Sequence, residues 1–249
     1  MAEERKRCGM LTAHAGFAAA GGIEDRSEDN TLDNLIRTIR RGPDAVEADI
    51  RMARTEKGAV PILSHDQVCG PESAVRLEEI FALLRGEHSR SGEAGPNAAQ
   101  VKIQLDLKED GIAGELIDAV RGSGFPMERV IIAGDSSYET VQRERRKITE
   151  AMEEGLEFWL NAGCAAPYEE LVRQPERFIA RIKTLKLPAY VVNTAWQAMP
   201  PERIDALKAE GVEVSVWTLN TRELLERYLF TGAHNVTSRN PLALELRKG

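Results

Sequence analysis

Strand-like and helix-like segments alternate along this chain of 249 residues from one end to the other. Eight apolar stretches have the pattern of strands, and each is followed by a stretch with helical periodicity; they are 10–14, 44–51, 101–107, 130–133, 156–160, 189–193, 212–217 and 235–237. This order predicts a parallel sheet whose strands are joined by crossover helices. Eight such units in a chain of this length favour a closed barrel over an open sheet. We therefore predict an α/β fold, a single (β/α)8 TIM barrel over residues 1–249, with a flexible tail at 1–8.

The segments between these strands carry local signals of their own. Val60–Leu63 is predicted to be an additional short strand within the second unit. Gly86–Ala99 is polar and bears Gly and Ser, which predicts a mobile loop. Pro167–Ile182 is predicted to be one helix. Asp29 precedes Asn-Thr and an apolar periodic run, a pattern typical of a helix cap.

Composition and charge exclude several classes of protein. A formal net charge of −7 argues against a general nucleic-acid binder, which needs a basic face, and no GxGxxG or Walker fingerprint is present. The N-terminus is charged, and no apolar run is long enough for a signal peptide or a membrane span. The cysteines Cys8, Cys69 and Cys164 are odd in number and lack zinc-site spacing, which indicates a reducing compartment. We expect a cytoplasmic protein without stable membrane insertion, and the oligomeric state is left open.

Polar side chains collect at the ends of the predicted strands. Glu47 and Asp49 are two residues apart in a strand, so they point to the same face, and Asp106 and Lys108 repeat this spacing. Two histidines, His14 and His65, and one tryptophan, Trp217, also lie at predicted strand ends. In barrels of this kind the chemistry takes place at the C-terminal ends of the strands. The sequence therefore predicts an active site at that end of the barrel.

Three carboxylates, two histidines and a lysine are the residue types needed for metal-assisted acid–base chemistry on a phosphate ester. We expect Glu47, Asp49 and Asp106 to bind a divalent cation through oxygen alone, because no Cys or His lies at matching spacing in these motifs. Oxygen ligands favour Mg²⁺ or Ca²⁺, with Mn²⁺ as a further candidate, over Zn²⁺. The alternative is a solvated strand face, but carboxylates inside a barrel would then be buried unpaired, which is costly.

These residues lie in motifs that resemble the glycerophosphodiester phosphodiesterase family over nearly the whole chain. The motifs are Thr12-Ala-His14-Ala-Gly16, Asp29-Asn-Thr31, Asp44-Ala-Val-Glu47-Ala-Asp49-Ile50, Lys57-Gly58 followed by Val60-Pro-Ile-Leu-Ser-His65-Asp66, Lys102-Ile-Gln-Leu-Asp106-Leu-Lys108, Val216-Trp217-Thr218-Leu-Asn220 and Gly232–Pro241. Each motif alone is a weak signal. Their order around one predicted barrel rim makes the resemblance strong.

The resemblance implies a TIM barrel that hydrolyses a small phosphodiester with a divalent cation held by the three carboxylates. It implies that His14 and His65 share general base and general acid duties on opposite sides of the scissile bond. Lys108 would hold a non-bridging phosphate oxygen, and Trp217 would form an apolar wall for the alcohol. In the family the substrate's own glycerol hydroxyl is thought to attack, giving a cyclic phosphate that water then opens.

The sequence departs from the family pattern in its substrate-handling residues. Ala15 stands where relatives carry an arginine that clamps the phosphate. Arg51 in the second strand is the first candidate for a substitute, and Arg26 in the long loop after His14 is the second. Asp106 in place of Glu resembles the spider-venom-type phospholipases D and is a conservative change for a hard cation. The change at Ala15 therefore concerns substrate handling and spares the metal ligands.

Two other functions stay open beside hydrolysis. One is a catalytically weakened relative that binds a phospho-ligand, which the change at Ala15 motivates. The other is a lyase that forms a cyclic phosphate from a lysophospholipid-type substrate with the same catalytic residues. His88 and His234 are interpreted as structural, and the three cysteines are given no role.

Overall fold

The computed structural model describes residues 7–18, 22–56, 58–66 and 74–248. Residues 1–6 of the predicted tail, Lys57 and Cys69 lie outside the described residues. The strands are β1 Met10–Ala13, β2 Ala45–Thr55, β3 Gly58–Leu63, β4 Val75–Arg76, β5 Lys102–Leu107, β6 Val130–Gly134, β7 Glu157–Asn161, β8 Val191–Ala195, β9 Glu213–Trp217 and β10 Asn235–Ser238. The α-helices are α1 Leu32–Arg41, α2 Leu77–Arg85, α3 Ser91–Ala94, α4 Ala113–Ser123, α5 Tyr138–Glu153, α6 Ala162–Ala165, α7 Tyr168–Arg173, α8 Pro175–Lys183, α9 Pro201–Ala209, α10 Arg222–Tyr228 and α11 Leu242–Lys248.

Eight strands pair in parallel around a closed ring in the order β1, β2, β5, β6, β7, β8, β9 and β10, and β10 pairs with β1. Helices lie between the successive strands, so the predicted (β/α)8 TIM barrel is confirmed. The additional strand predicted within the second unit is β3, which runs antiparallel to the outer half of β2, with β4 beside it. This hairpin extends past the C-terminal rim of the barrel and returns the chain to it. Among the described residues, no helix is both long and apolar enough to cross a membrane.

Alternation of side chains along each strand separates an outer core from a barrel interior of mixed polarity. On β2, Val46, Ala48 and Ile50 are fully buried in the main hydrophobic core, whereas Glu47 and Asp49 point the other way. A separate apolar cluster fills the lower part of the interior; it consists of Met10, Ala45, Ile131, Ala133, Trp159 and Val191. The polar residues above this cluster line the site described below.

Three local predictions of secondary structure or helix capping were wrong. Helix α1 is capped by Thr31, whose Oγ1 accepts a hydrogen bond from the Asn34 amide at 3.3 Å, and Asp29 instead pairs with Arg239. The segment 86–99, predicted as a mobile loop, contains α3 and a 3₁₀ turn at Pro96–Ala99. The single helix predicted over 167–182 is two helices, because Pro175 disfavours helical dihedrals at Gln174.

A charged cluster lies at the N-terminal end of the barrel, opposite the predicted active site. Glu157 accepts hydrogen bonds from Lys102 Nζ at 2.6 Å, from Trp159 Nε1 at 3.0 Å and from His234 Nε2 at 2.9 Å. His234 is therefore structural, as interpreted from the sequence. Burial alone would raise the pKa of Glu157, but the hydrogen bonds from His234 and Lys102 outweigh it and lower that pKa to about 2.

We expect this cluster to make folding stability depend on pH in acid. A carboxyl whose pKa is lower in the folded state stabilises the protein above the unfolded value of 4.5 and loses this contribution as the pH falls towards 2. The shift corresponds to about 3 kcal/mol at most. Urea unfolding of wild type and Glu157→Gln between pH 6 and pH 3 should show a smaller loss of stability in the variant. Glu139→Gln, on the exposed face of α5, is the control, and equal losses in wild type and Glu157→Gln would contradict the prediction.

Candidate active site

Three carboxylates predicted from the sequence meet at the C-terminal rim. Glu47 and Asp49 come from β2, and Asp106 comes from β5, where it lies in register with Asp49. One oxygen from each carboxylate lies within 4.8 Å of the other two. Glu47 Oε1 is buried and has no hydrogen-bond partner among the described residues. An all-oxygen set with a buried acceptor available fits a hard divalent cation.

The electrostatics of this cluster also favour a cation. Burial, followed by the charges of Asp49 and Asp106, raises the pKa of Glu47 well above its usual value. Burial opposes ionisation of Asp49 too, but the Lys108 ammonium, 2.8 Å from Asp49 Oδ1, and hydrogen bonds hold the pKa of Asp49 below its usual value. Lys108 also pairs with Asp106. With all four groups ionised the cluster carries a formal charge of −2, which one divalent cation neutralises.

Backbone and amide donors fix the carboxylates in place. Asn30 forms two hydrogen bonds with Asp49: its Nδ2 donates to Asp49 Oδ2 at 2.7 Å, and its Oδ1 accepts from the Asp49 amide at 2.9 Å. The Ala15 amide donates to Glu47 Oε2 at 2.6 Å. Asn30 was not predicted as a site residue from the sequence. Its φ of 59°, a conformation that Asn tolerates better than most residues, is a local constraint that only the structure reveals.

A buried arginine holds the loop that carries Asn30. Arg239 is 2% exposed and donates to Asp29 Oδ2 at 2.6 Å, to the Ile23 carbonyl at 3.0 Å and to the Asp25 carbonyl at 2.7 Å. Each of its three guanidinium nitrogens thereby donates one hydrogen bond to the loop that follows β1. Arg239 therefore positions the loop, and through it Asn30.

The two histidines flank the carboxylate cluster in different environments. His14 follows β1 directly, and its Nε2 lies 4.0 Å from Glu47 Oε2. Its Nδ1 is buried without a hydrogen-bond partner among the described residues. Burial is the main reason that the pKa of His14 lies below its usual value, so the ring is neutral near pH 7. A neutral imidazole beside an anionic cluster is suited to accept a proton.

His65 occupies the open side of the site. It follows β3, whose antiparallel pairing with β2 brings its C-terminal end back beside Asp49; the Ser64 amide donates to the Asp49 carbonyl at 2.9 Å. The His65 side chain is 59% exposed, and its Nδ1 lies 3.0 Å from Asp66 Oδ1. The two histidines therefore differ in access to solvent and in their carboxylate partners.

Two cavities meet at this cluster. The larger has a volume of about 690 Å³ and the smaller about 330 Å³. Both are lined by His14, His65, Lys108 and Trp217. These four shared side chains lie where the two cavities meet.

Both candidate substitutes for the missing arginine lie at the site. Arg51 lines the smaller cavity and donates from Nε to the His65 carbonyl at 3.1 Å, and Arg26 lines the larger cavity and is exposed. Ala15 is 1% exposed and has a φ of 49°. An arginine at that position would have to place a long, charged side chain where the present residue is almost fully buried.

Fold and site together define a TIM barrel with a cluster of three carboxylates and two histidines at its C-terminal rim. No family model matches the chain. It is 24% identical over 246 residues to the glycerophosphodiester phosphodiesterase of Caldanaerobacter subterraneus subsp. tengcongensis, covering 89% of this chain and 93% of that protein.

Solved structures agree in fold. A glycerophosphodiester phosphodiesterase from Parabacteroides distasonis superimposes with a TM-score of 0.66 at 15% identity, covering 98% of each chain. An Oleispira antarctica phosphodiesterase, solved in complex with the product sn-glycerol-3-phosphate, superimposes with a TM-score of 0.60 at 16% identity. The superposition covers 97% of each chain. The resemblance to the glycerophosphodiester phosphodiesterases, stated from the sequence motifs, is confirmed.

Proposed function

We propose that this protein catalyses metal-dependent hydrolysis of a glycerophosphodiester to an alcohol and glycerol phosphate. The observation that carries the proposal is the meeting of Glu47, Asp49 and Asp106 at the barrel rim, with His14 and His65 beside them. The curated relative and the structural neighbours, which are phosphodiesterases by name, support the same reaction class. The extent of one domain over residues 1–249 and a cytoplasmic location stay predictions from the sequence.

The three carboxylates would hold Mg²⁺ or Ca²⁺, with Mn²⁺ as a further candidate, because all their donor atoms are hard oxygens. When bound, such a cation supplies positive charge that stabilises the anionic phosphate in the transition state and lowers the pKa of a hydroxyl group. Lys108, held by Asp49 and Asp106, adds a second positive charge for a non-bridging oxygen.

The histidines divide the proton transfers between them. His14 is half-buried and neutral, so it would take the proton from the attacking hydroxyl. His65 is exposed and lies beside Asp66, so it would give a proton to the leaving alcohol. Trp217 lies on the walls of both cavities and would pack against the substrate. By its resemblance to the family, the chain would use the glycerol hydroxyl of the substrate as the attacking group and open the resulting cyclic phosphate with water.

A panel of glycerophosphodiesters with different alcohols tests this proposal. Release of alcohol would be measured with Mg²⁺, Ca²⁺ or Mn²⁺ and with a chelator, and phosphorus NMR would identify the phosphate product. Cation-dependent formation of glycerol phosphate supports the proposal. Accumulation of a cyclic phosphate would identify the lyase, and binding without turnover would identify the weakened relative; either result contradicts hydrolysis.

Arg51 is expected to replace the missing phosphate clamp. A charged hydrogen bond to the phosphate is worth roughly 1.5–3 kcal/mol, so Arg51→Ala should lower kcat/KM by about 10- to 100-fold. Ala15→Arg should bring no gain, because a long, charged side chain would have to be accommodated at a buried position. Arg145→Ala, on the exposed face of α5, is the control for loss of an arginine.

The same kinetic series separates the alternatives for the clamp. If Arg26 is the clamp, kcat/KM will fall in Arg26→Ala and stay unchanged in Arg51→Ala. A gain in kcat/KM for Ala15→Arg, without loss in either arginine variant, would show that the clamp is absent and contradict the prediction.

A further inference from the structure

The smaller cavity extends from the catalytic groups into the polar interior of the barrel. Apart from the residues it shares with the larger cavity and from Glu47, Arg51 and Asp106, it is lined by amide, carboxyl and hydroxyl side chains of Gln104, Asp135, Asn161, Asn193 and Thr237. Its volume of about 330 Å³ falls within the usual size of a small-molecule site. Most such sites are lined mainly by apolar side chains, so a wall of this polarity indicates a ligand rich in hydroxyl groups.

Hydrogen bonds between neighbouring strands fix much of this wall. Thr12 Oγ1 donates to Asn235 Oδ1 at 2.8 Å, and Asn235 Nδ2 donates to Ser215 Oγ at 3.0 Å. Ser215 Oγ donates to Asn193 Oδ1 at 2.8 Å, and Asn193 Nδ2 donates to Asn161 Oδ1 at 2.8 Å. The chain of bonds crosses five adjacent strands from β1 to β7. It orients the amides of the cavity wall before any ligand arrives.

Gln104 lies beyond the end of this chain of bonds. It is in register with Glu47 on the neighbouring strand and is 3% exposed. Its Oε1 is buried and lacks a hydrogen-bond partner among the described residues. The side chain lines the smaller cavity. Because a buried acceptor is costly to leave unpaired, Gln104 indicates that a ligand in this cavity supplies the donor.

We propose that the smaller cavity binds the glycerol arm of the substrate and that Gln104 accepts a hydrogen bond from one of its hydroxyl groups. This inference rests on the proposed function and adds a residue that determines substrate specificity. The glycerol arm would then lie within the barrel, next to His14 and Glu47, which also line this cavity. The second alcohol would lie in the larger cavity, whose remaining lining includes Arg26 in the loop after β1 and Leu63 at the end of β3.

The proposal predicts selection at one arm of the diester only. A site built to pair with hydroxyl groups rejects an analogue that lacks them, because its own polar groups would be left without partners. The alcohol in the larger cavity would be selected less strictly. A binding measurement on half of the substrate tests the glycerol arm without depending on turnover.

The experiment compares two phosphate monoesters by isothermal titration calorimetry in the presence of Mg²⁺. One is sn-glycerol 3-phosphate, and the other is n-propyl phosphate, which has the same carbon chain without hydroxyl groups. Wild type should bind the glycerol ester more tightly. Gln104→Met has a side chain of similar length without the amide. It should weaken binding of glycerol phosphate by about three- to tenfold and leave the affinity for n-propyl phosphate unchanged.

Gln104→Asn and Gln142→Met complete the series. Gln104→Asn keeps the amide but shortens the side chain, so it should lose part of the preference and serves if Gln104→Met does not fold. Gln142→Met, on the exposed face of α5, should bind as wild type does. Equal binding of the two esters by wild type, or an unchanged preference in both Gln104 variants, would overturn the proposal. A preference lost in these variants while wild type hydrolyses no glycerophosphodiester would instead support the cavity assignment and reject the proposed function.

Discussion

Replacing Glu47 by glutamine is expected to abolish binding of the divalent cation and to lower kcat by about 10³-fold or more. A cation in a site of this kind contributes several kcal/mol to transition-state stabilisation, and each 1.4 kcal/mol corresponds to a factor of ten in rate. Glutamine has the shape of glutamate but not its charge. It therefore removes one of the three anionic ligands while it keeps the side-chain volume inside the barrel.

The same variant should be more stable than wild type when no cation is added. Glu47 is 1% exposed, lies beside two other carboxylates and leaves Oε1 without a partner among the described residues. Removing a buried charge from such a cluster relieves both its desolvation and its repulsion. Stability and function thus oppose each other at this position, as is common where a site is built for a charged ligand.

Thermal unfolding with and without Ca²⁺ measures both effects. Wild type should gain stability on addition of Ca²⁺ through binding to the folded state, and Glu47→Gln should start from a higher Tm and gain nothing. Glu139→Gln, an exposed glutamate on α5, should behave as wild type does. A Ca²⁺-dependent rise in Tm that persists in Glu47→Gln would remove Glu47 from the cation site.

The barrel and the carboxylate cluster were predictable from the sequence because both follow from local periodicity. Residues two apart in a strand share a face, so Glu47 and Asp49 could be placed on one side of β2 without knowledge of the fold. The rule that parallel barrels carry their chemistry at the C-terminal strand ends then brought Asp106 to the same place. The structure places these three carboxylates within reach of one ion.

Residues that act through long-range contacts could not be predicted in this way. Arg239 pairs with Asp29 across 210 positions of sequence, and no local pattern marks either as a partner of the other. Gln104 lies between Lys102 and Asp106 on the polar face of β5, and a sequence-based interpretation accepts a neutral residue there as ordinary alternation. Asn30 was part of a motif, but its two bonds to Asp49 depend on the path of the loop held by Arg239. Tertiary packing determines all three.

Replacing either histidine by alanine is expected to lower kcat by about 10²- to 10⁴-fold, the usual contribution of a general acid or base. The two variants should differ in which substrates they turn over slowly, because His14 is half-buried beside Glu47 and His65 is exposed beside Asp66. The neutral His14 would act as the base, and its loss should slow every substrate. His65 would act as the acid, so its loss should matter only for leaving groups that need a proton.

A substrate pair with different leaving groups separates these roles. Glycerol phosphate esters of ethanol and of p-nitrophenol share the glycerol arm, but p-nitrophenolate departs without protonation. His65→Ala should have a low kcat for the ethyl ester and a kcat close to that of wild type for the p-nitrophenyl ester. His14→Ala should have a low kcat for both esters. His88→Ala, a histidine between α2 and α3, is the control, and unchanged thermal unfolding would show that each variant is folded. Near-wild-type rates in either site variant on the ethyl ester would remove that histidine from the mechanism, and recovery of His14→Ala instead of His65→Ala would reverse the assignment of base and acid.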